Sequence, residues 1–200
     1  MAQSKVWGLE RFNRWLAGTQ RRALNPRQLM DRVAQYGASS TVRRIKSGVD
    51  PENAPLTKRY KKNGKTLRDT GTLMNSISAR SGKDFAAWGS NQPYARIQQT
   101  GGTVKPTQAE KLAIPAGWQT RRLMRKYGER PKRCIQGMKA DGYRVWFLEN
   151  AIMADGGQGQ FVLFVRKKSV EIPAREYLKL DDQDEQEIAR IVRHWLGEGS

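Results

Sequence analysis

The sequence predicts an α+β fold: two N-terminal helices, a small, mostly antiparallel sheet with a β-hairpin extension, and a C-terminal helix. Three observations carry this expectation. Apolar residues recur at helical spacing near both ends, and strand-like runs alternate large apolar with other side chains around a glycine-rich turn. The order helix, helix, strands, basic middle, hairpin, helix also keeps the two element types in separate runs, as α+β folds do.

Taken in order, Ser4 to Ala17 places Leu9, Phe12, Trp15 and Leu16 on one helical face between Glu10, Arg11 and Arg14, and Gly18 reads as a C-terminal stop. Asn25-Pro26 offers an N-cap followed by proline in the first turn, Gln28 completes a capping-box-like pair, and Leu29, Val33, Tyr36, Val42 and Ile45 continue a stripe to about Lys46. Gly48 to Pro55 (GVDPENAP) breaks this second helix, and a basic loop is expected up to Arg68. Thr72 to Arg80 should turn into a strand, and Phe85 to Gly89 should answer it in a hairpin. Tyr94 to Gln99 suits one or two helical turns, and Leu112 to Pro115 is extended. Tyr143 to Leu148 and Gln160 to Arg166 read as a hairpin joined by Asp155-Gly156-Gly157-Gln158-Gly159, whose glycines supply positive φ. The last helix opens with acids from Asp181, carries Ile188, Ile191, Val192, Trp195 and Leu196 on one face, and ends in Arg190, Arg193 and His194, matching the helix dipole.

Length sets one domain over residues 1–200, divided into N-terminal helices (1–47), a motif-bearing core (48–116), a basic segment with a hairpin insertion (117–171) and a closing segment with the terminal helix (172–200). The 38% apolar content and mean hydropathy of -0.77 imply a folded chain with long polar loops. No run approaches the length of a membrane span and the first residues carry charges where a signal peptide is apolar, so a cytoplasmic setting without membrane contact is expected.

The formal charge of +18 calls for a partner of opposite sign, nucleic acid or an acidic protein surface. It is unevenly placed: Thr57 to Arg68 has six basic and no acidic residues, Gln119 to Cys134 has seven basic and one acidic, and Asp181 to Glu187 has five acids.

Chemistry-bearing sets are sparse. One cysteine, Cys134, and one histidine, His194, leave no internal disulfide and no zinc or iron ligand set, and no cofactor is expected. His194 reads as a dipole-compensating surface residue rather than a base. Asp50 and Glu52 flank Pro51 in a turn without a second acidic cluster to complete a metal site. Asp155 to Gly159 lacks the lysine and hydroxyl residue of a nucleotide loop and joins strand to strand. Arg130, Lys132 and Arg133 would activate the Cys134 thiol, yet no partner histidine is in view. The expectation is no enzyme. Tyr60 and Tyr127 interleave the basic runs, so a sequence-blind nucleic-acid contact is the alternative reading.

Four ordered segments carry a resemblance. Asp50 to Leu56 is an aspartate-proline turn before a lysine-rich loop; Leu67-Arg68-Asp69-Thr70-Gly71-Thr72-Leu73-Met74-Asn75-Ser76-Ile77 fits "L-x-D-T-G-x-L-x-x-S-I"; Gly89 to Gly102 (GSNQPYARIQQTGG) fits "G-S-x-x-x-Y-A-x-I-H-Q-x-G"; and Pro173-Ala174-Arg175-Glu176-Tyr177-Leu178 fits "P-A-R-x-[FY]-L". Together, over roughly residues 45 to 197, they resemble the tailed-phage virion-morphogenesis family of tail-completion or neck proteins. Gln98 stands where that family often has histidine, and Gly117 to Val170 is longer than the family pattern, as a docking arm would be.

The resemblance implies a virion subunit that forms a ring of about six or about twelve copies at the head-tail junction. Its partners would be itself, connector or head-completion proteins, tail-terminator or tail-tube proteins and, loosely, genomic DNA; assembly would take place in the host cytoplasm. Within the motifs, Asp69 and Thr70 should cap a turn, Gly71 and Gly101 permit tight backbone, Tyr94 and Ile97 anchor core, and Pro173 shapes the closing segment. Arg175 could bridge subunits, pair with a buried carboxylate or form an ordinary internal ion pair. The docking acids would be Asp181, Asp182, Asp184 and Glu185, and the docking or DNA-facing bases Lys58, Arg59, Lys61, Lys62, Lys65, Arg121, Arg122, Arg125 and Lys126.

Overall fold

The computed structural model describes residues 9–61 and 65–197. In chain order it contains α1 (Leu9–Leu24), α2 (Arg27–Ser47), α3 (Pro55–Tyr60), α4 (Thr72–Asn75), β1 (Ile77–Ser81), β2 (Ala86–Ser90), α5 (Ala95–Thr100), β3 (Gly102–Val104), β4 (Leu112–Pro115), α6 (Trp118–Tyr127), α7 (Pro131–Ala140), β5 (Arg144–Phe147), β6 (Ala151–Asp155), β7 (Gln160–Lys167), β8 (Val170–Ile172) and α8 (Asp182–Leu196). The protein is α+β, with helices at both ends and small antiparallel sheets between them. The described residues fall into two compact units.

Unit 1 gathers three stretches: the chain up to Lys46, Leu73–Gln92, and Tyr177 onward. Its centre is α2, which buries Ala34, Gly37, Thr41 and Ile45 at three- and four-residue intervals, one face of a helix, with Leu29 and Ser40 also buried. The β1–β2 hairpin packs there. Trp88 on β2 donates its indole N–H to Thr41 at 3.1 Å, and its ring lies so close to Gly37 that a Cβ at that position would stand 2.5 Å from it. Ser76 and Ser90 close the base of the hairpin at 2.7 Å. On α8, the Trp195 ring receives Arg32 of α2 at 5.6 Å, and Thr19 of α1 donates to the Leu196 carbonyl at 3.3 Å. The first helix does not stop at Gly18: it runs on to Leu24, because one glycine costs an interior turn only about 1 kcal/mol. The predicted start at Ser4 lies outside the described residues.

Unit 2 spans Ser47–Thr72 and Pro93–Glu176. An antiparallel sheet in the order β4-β7-β6-β5 is covered on one face by α6 and α7. Cys134 and Met138 from α7 meet Ile152, Ala154, Leu163 and Phe164 from the strands, with Leu123, Met124 and Tyr127 of α6 packed alongside. Thr120 hides its hydroxyl by donating to the Leu163 carbonyl at 2.8 Å. A bulge lets consecutive side chains enter this core. Met153 pairs with Val162 and Ile152 with Phe164, so Leu163 is the unpaired extra residue, and Leu163 and Phe164 are both fully buried. A side chain of this kind contributes roughly 1.5–3 kcal/mol when buried.

Unit 2 corrects several expectations. The glycine turn after Asp155 joins β6 to β7, not the run from Tyr143, and β5 pairs with the intervening β6. The basic middle is helical through α6 and α7. The loop before Arg68 contains α3, which begins at a proline that presets the first helical turn. β8 pairs with β3 in a two-stranded ribbon of its own.

Candidate functional site

Three of the four motif segments meet in unit 2 around Arg175. The β3–β8 ribbon sets Gly102 opposite Ile172, and the Arg175 backbone N–H donates to the Gln98 carbonyl at 2.9 Å. Gly101 has φ 69, and a Cβ there would lie 2.7 Å from the Ala174 nitrogen and 2.9 Å from the Ile172 oxygen. Only glycine fits. The Arg175 guanidinium, buried to 6% exposure, donates Nε–H to the Pro51 carbonyl at 2.8 Å, Nη2 to the Glu52 carbonyl at 3.1 Å and Nη1 to Gln98 Oε1 at 3.4 Å. The acceptors are two peptide carbonyls and a side-chain amide, none of them a carboxylate, so among the described residues Arg175 is held by neutral groups rather than by an ion pair. Burial without a counter-charge pushes its pKa down. Gln98, where a histidine was expected, supplies a neutral acceptor to this cation. Pro173 is exposed.

Close by in sequence, Asp69 does not cap its turn. Thr70 does that, accepting from the Thr72 backbone N–H at 3.4 Å and sharing a hydroxyl contact with Thr72 at 2.6 Å. Asp69 instead receives both arms of the Arg121 guanidinium from α6, one at 2.9 Å, and this fork holds its carboxyl below the usual range. Gly71 takes φ 85. Tyr94 is 40% exposed and is not a core anchor; its neighbour Ala95 is buried instead.

The second charged centre lies in unit 1. Asp181 caps α8 in a capping box with Asp184: the Asp184 N–H donates to Asp181 at 3.0 Å and the Asp181 N–H to Asp184 at 3.2 Å. Asp184 is 2% exposed and also accepts from Tyr36 at 3.0 Å, from Arg44 at 2.5 Å and from Ser40. Burial raises the carboxyl's pKa, but the bonds from Ser40, Arg44, the Asp181 amide and Tyr36 outweigh it and hold the value at about 2. Arg44 also donates to Asp181 at 2.9 Å and to the Tyr177 and Lys179 carbonyls. Asp184 therefore faces inward, which sequence reasoning missed, whereas Asp181, Asp182 and Glu185 are exposed.

The predicted basic residues divide by environment. Lys58 pairs with Glu52 at 2.5 Å and Lys126 with Asp141 at 3.0 Å. Lys61 is partly buried; burial lowers its pKa, Asp69 opposes this, and the like charges of Arg175 and Arg121 add to the lowering. Lys65, Arg122 and Arg125 are exposed. Lys62 and the side chain of Arg59 lie outside the described residues. Cys134 is wholly buried, and burial pushes its thiol pKa up, the reverse of activation by its basic neighbours. Among the described residues no three His, Cys, Asp or Glu side chains gather to hold a metal, and no helix is long and apolar enough to cross a membrane.

The motif segments hold one another through backbone contacts at Arg175 and Gly101. Residues 8–142 match the phage virion morphogenesis family, and the chain belongs to it. A stretch of 63 residues is 43% identical to Mu-like prophage FluMu G protein 2 of Haemophilus influenzae, covering 31% of this chain and 44% of that relative, so the chain spans less than half of the relative's length. No solved structure matches. The family match ends before β5, leaving the β5–β7 sheet strands and the Pro173 to Leu178 segment outside it.

Proposed function

We propose that this protein is a non-enzymatic structural subunit that forms a ring at the head-tail junction of a tailed-phage virion and completes the tail or neck so that a filled head can join. Family membership over residues 8–142 carries the reading. The structure is in keeping with it in kind: the motifs hold backbone, as Arg175 does with the Pro51 and Glu52 carbonyls. A closed ring needs two different faces on each subunit. Arg122 and Arg125 on α6, and Asp182 and Glu185 on α8, are exposed groups of opposite sign suited to those faces. The neighbours above and below the ring are connector or head-completion proteins and tail-terminator or tail-tube proteins, and any DNA contact is loose and sequence-blind.

Mass spectrometry of purified particles, with copy numbers and antibody labelling in electron micrographs, tests this. About six to about twelve copies per particle with label at the junction is the expected result. Absence from particles would sink it, and the +18 charge would then favour a stand-alone nucleic-acid-binding protein, read out by salt-dependent DNA binding.

A further inference from the structure

Helix α6 has two faces of different chemistry. Thr120, Leu123, Met124 and Tyr127 turn toward the unit 2 core, and the opposite face carries Trp118, Arg122 and Arg125 at four- and three-residue steps. Trp118 is 63% exposed, an indole left in water on the same helix face as two arginines. Exposed tryptophan with arginine is the composition of a protein-binding hot spot. Duplex DNA would satisfy the arginines, but its bases are stacked on each other and offer no free face to the indole.

Unit 1 carries a feature of the complementary kind. A cavity of about 340 Å³ is lined by Ala87, Trp88, Leu178, Lys179 and Leu180. Leu180, 47% exposed, stands immediately before the most acidic stretch of the chain, where Asp182 and Glu185 face outward. The site is open to solvent, and its volume exceeds the roughly 150 Å³ that holds benzene, so an indole can lie in it against Leu178 and Leu180. With +18 on every copy, two chains repel except where opposite signs face each other, and the start of α8 is the place where a cationic face of another copy is attracted.

We propose that Trp118 of one copy seats in the cavity beside Leu180 of a second copy, with Arg122 and Arg125 meeting Asp182 and Glu185. The contact joins two different faces of the chain and is therefore heterologous, the kind that makes a ring when the rotation between copies closes. It rests on the ring reading above and names the surfaces that reading requires.

The test uses particles assembled from equal amounts of two full-length single variants, W118C and L180C, followed by mild oxidation. A disulfide between the two variants can only be intermolecular. The expected result is a cross-linked dimer at least roughly tenfold above that from W118C mixed with Q136C, whose cysteine lies on exposed α7 surface. The chain present in particles without that cross-link overturns this contact and leaves the ring standing, whereas absence of wild-type chain from particles overturns both. A second pair guards against a cysteine that impairs assembly. R122E/R125E should lower incorporation roughly tenfold or more, and D182R/E185R supplied as a second copy should restore it. Unchanged incorporation by R122E/R125E, or no rescue, refutes the proposal.

Discussion

Replacing Asp184 with alanine removes one carboxylate on which Tyr36, Ser40, Arg44 and the start of α8 all depend. Breaking a buried ion pair costs about 3–5 kcal/mol; Arg44 keeps Asp181 as a partner, which puts this case at the lower end, about 3 kcal/mol. With a urea slope of about 2 kcal/mol per molar, the unfolding midpoint should fall by about 1.5 M. Asp184→Asn isolates the charge. A pKa held at about 2 against an ordinary 3.8 is worth about 2 kcal/mol at neutral pH. The sign follows from the depression: the folded carboxyl binds its proton more weakly than the unfolded one, so the stabilisation is complete above the unfolded pKa and drains away as pH falls from about 4 to about 2. Urea titrations followed by circular dichroism at several pH values should show wild type and Asp184→Asn about 2 kcal/mol apart at pH 7 and converging in acid. A neutral-pH gap below about 0.5 kcal/mol, or a gap that ignores pH, would refute the reasoning.

Gly37→Ala forces a methyl group into the Trp88 ring and should lower stability by about 2–3 kcal/mol, measured by thermal melting as a fall of several degrees. Gly101→Ala combines φ 69 with a backbone clash at Ala174 and should be worse, with little folded protein recovered; a variant melting like wild type contradicts the tight approach. Arg175→Lys keeps the charge but cannot span the Pro51 and Glu52 carbonyls with Gln98, and should cost about 2 kcal/mol in denaturant titration. The Cys134 thiol, wholly buried, should resist Ellman's reagent in the native protein and react at once in strong denaturant; rapid native labelling would contradict its place in the core.

Elements with their own local signals were legible in the sequence. The terminal helix announces itself through its acidic start and apolar stripe, and the β1–β2 hairpin through two short strand runs. Helix α6 was hidden because Arg121, Arg122, Arg125 and Lys126 dominate its ten residues, and the inward stripe is only Thr120, Leu123, Met124 and Tyr127. Strand β6 (AIMAD) has a single β-branched residue and reads as loop, so the glycine turn was attached to the wrong preceding strand. Motif order was legible, but the meeting of Arg175 with Pro51 depends on contacts more than 120 residues apart, which no local pattern encodes. Asp181 and Asp184 look alike in a run of acids; only the fold turns one toward Tyr36 and Ser40.

The doubled role of Asp184 ties two steps of folding together. The carboxylate that closes the capping box at the start of α8 is the same one that α2 grips through Ser40 and Arg44, so the terminal helix cannot begin at its proper residue without also being moored, nor be moored in another register. A chain truncated before Asp184 would lose helix start and anchorage together, leaving Arg44 its bonds to Asp181 and to the Tyr177 and Lys179 carbonyls. Unit 1 is thereby an all-or-none part: its last helix is capped and anchored through one and the same carboxylate.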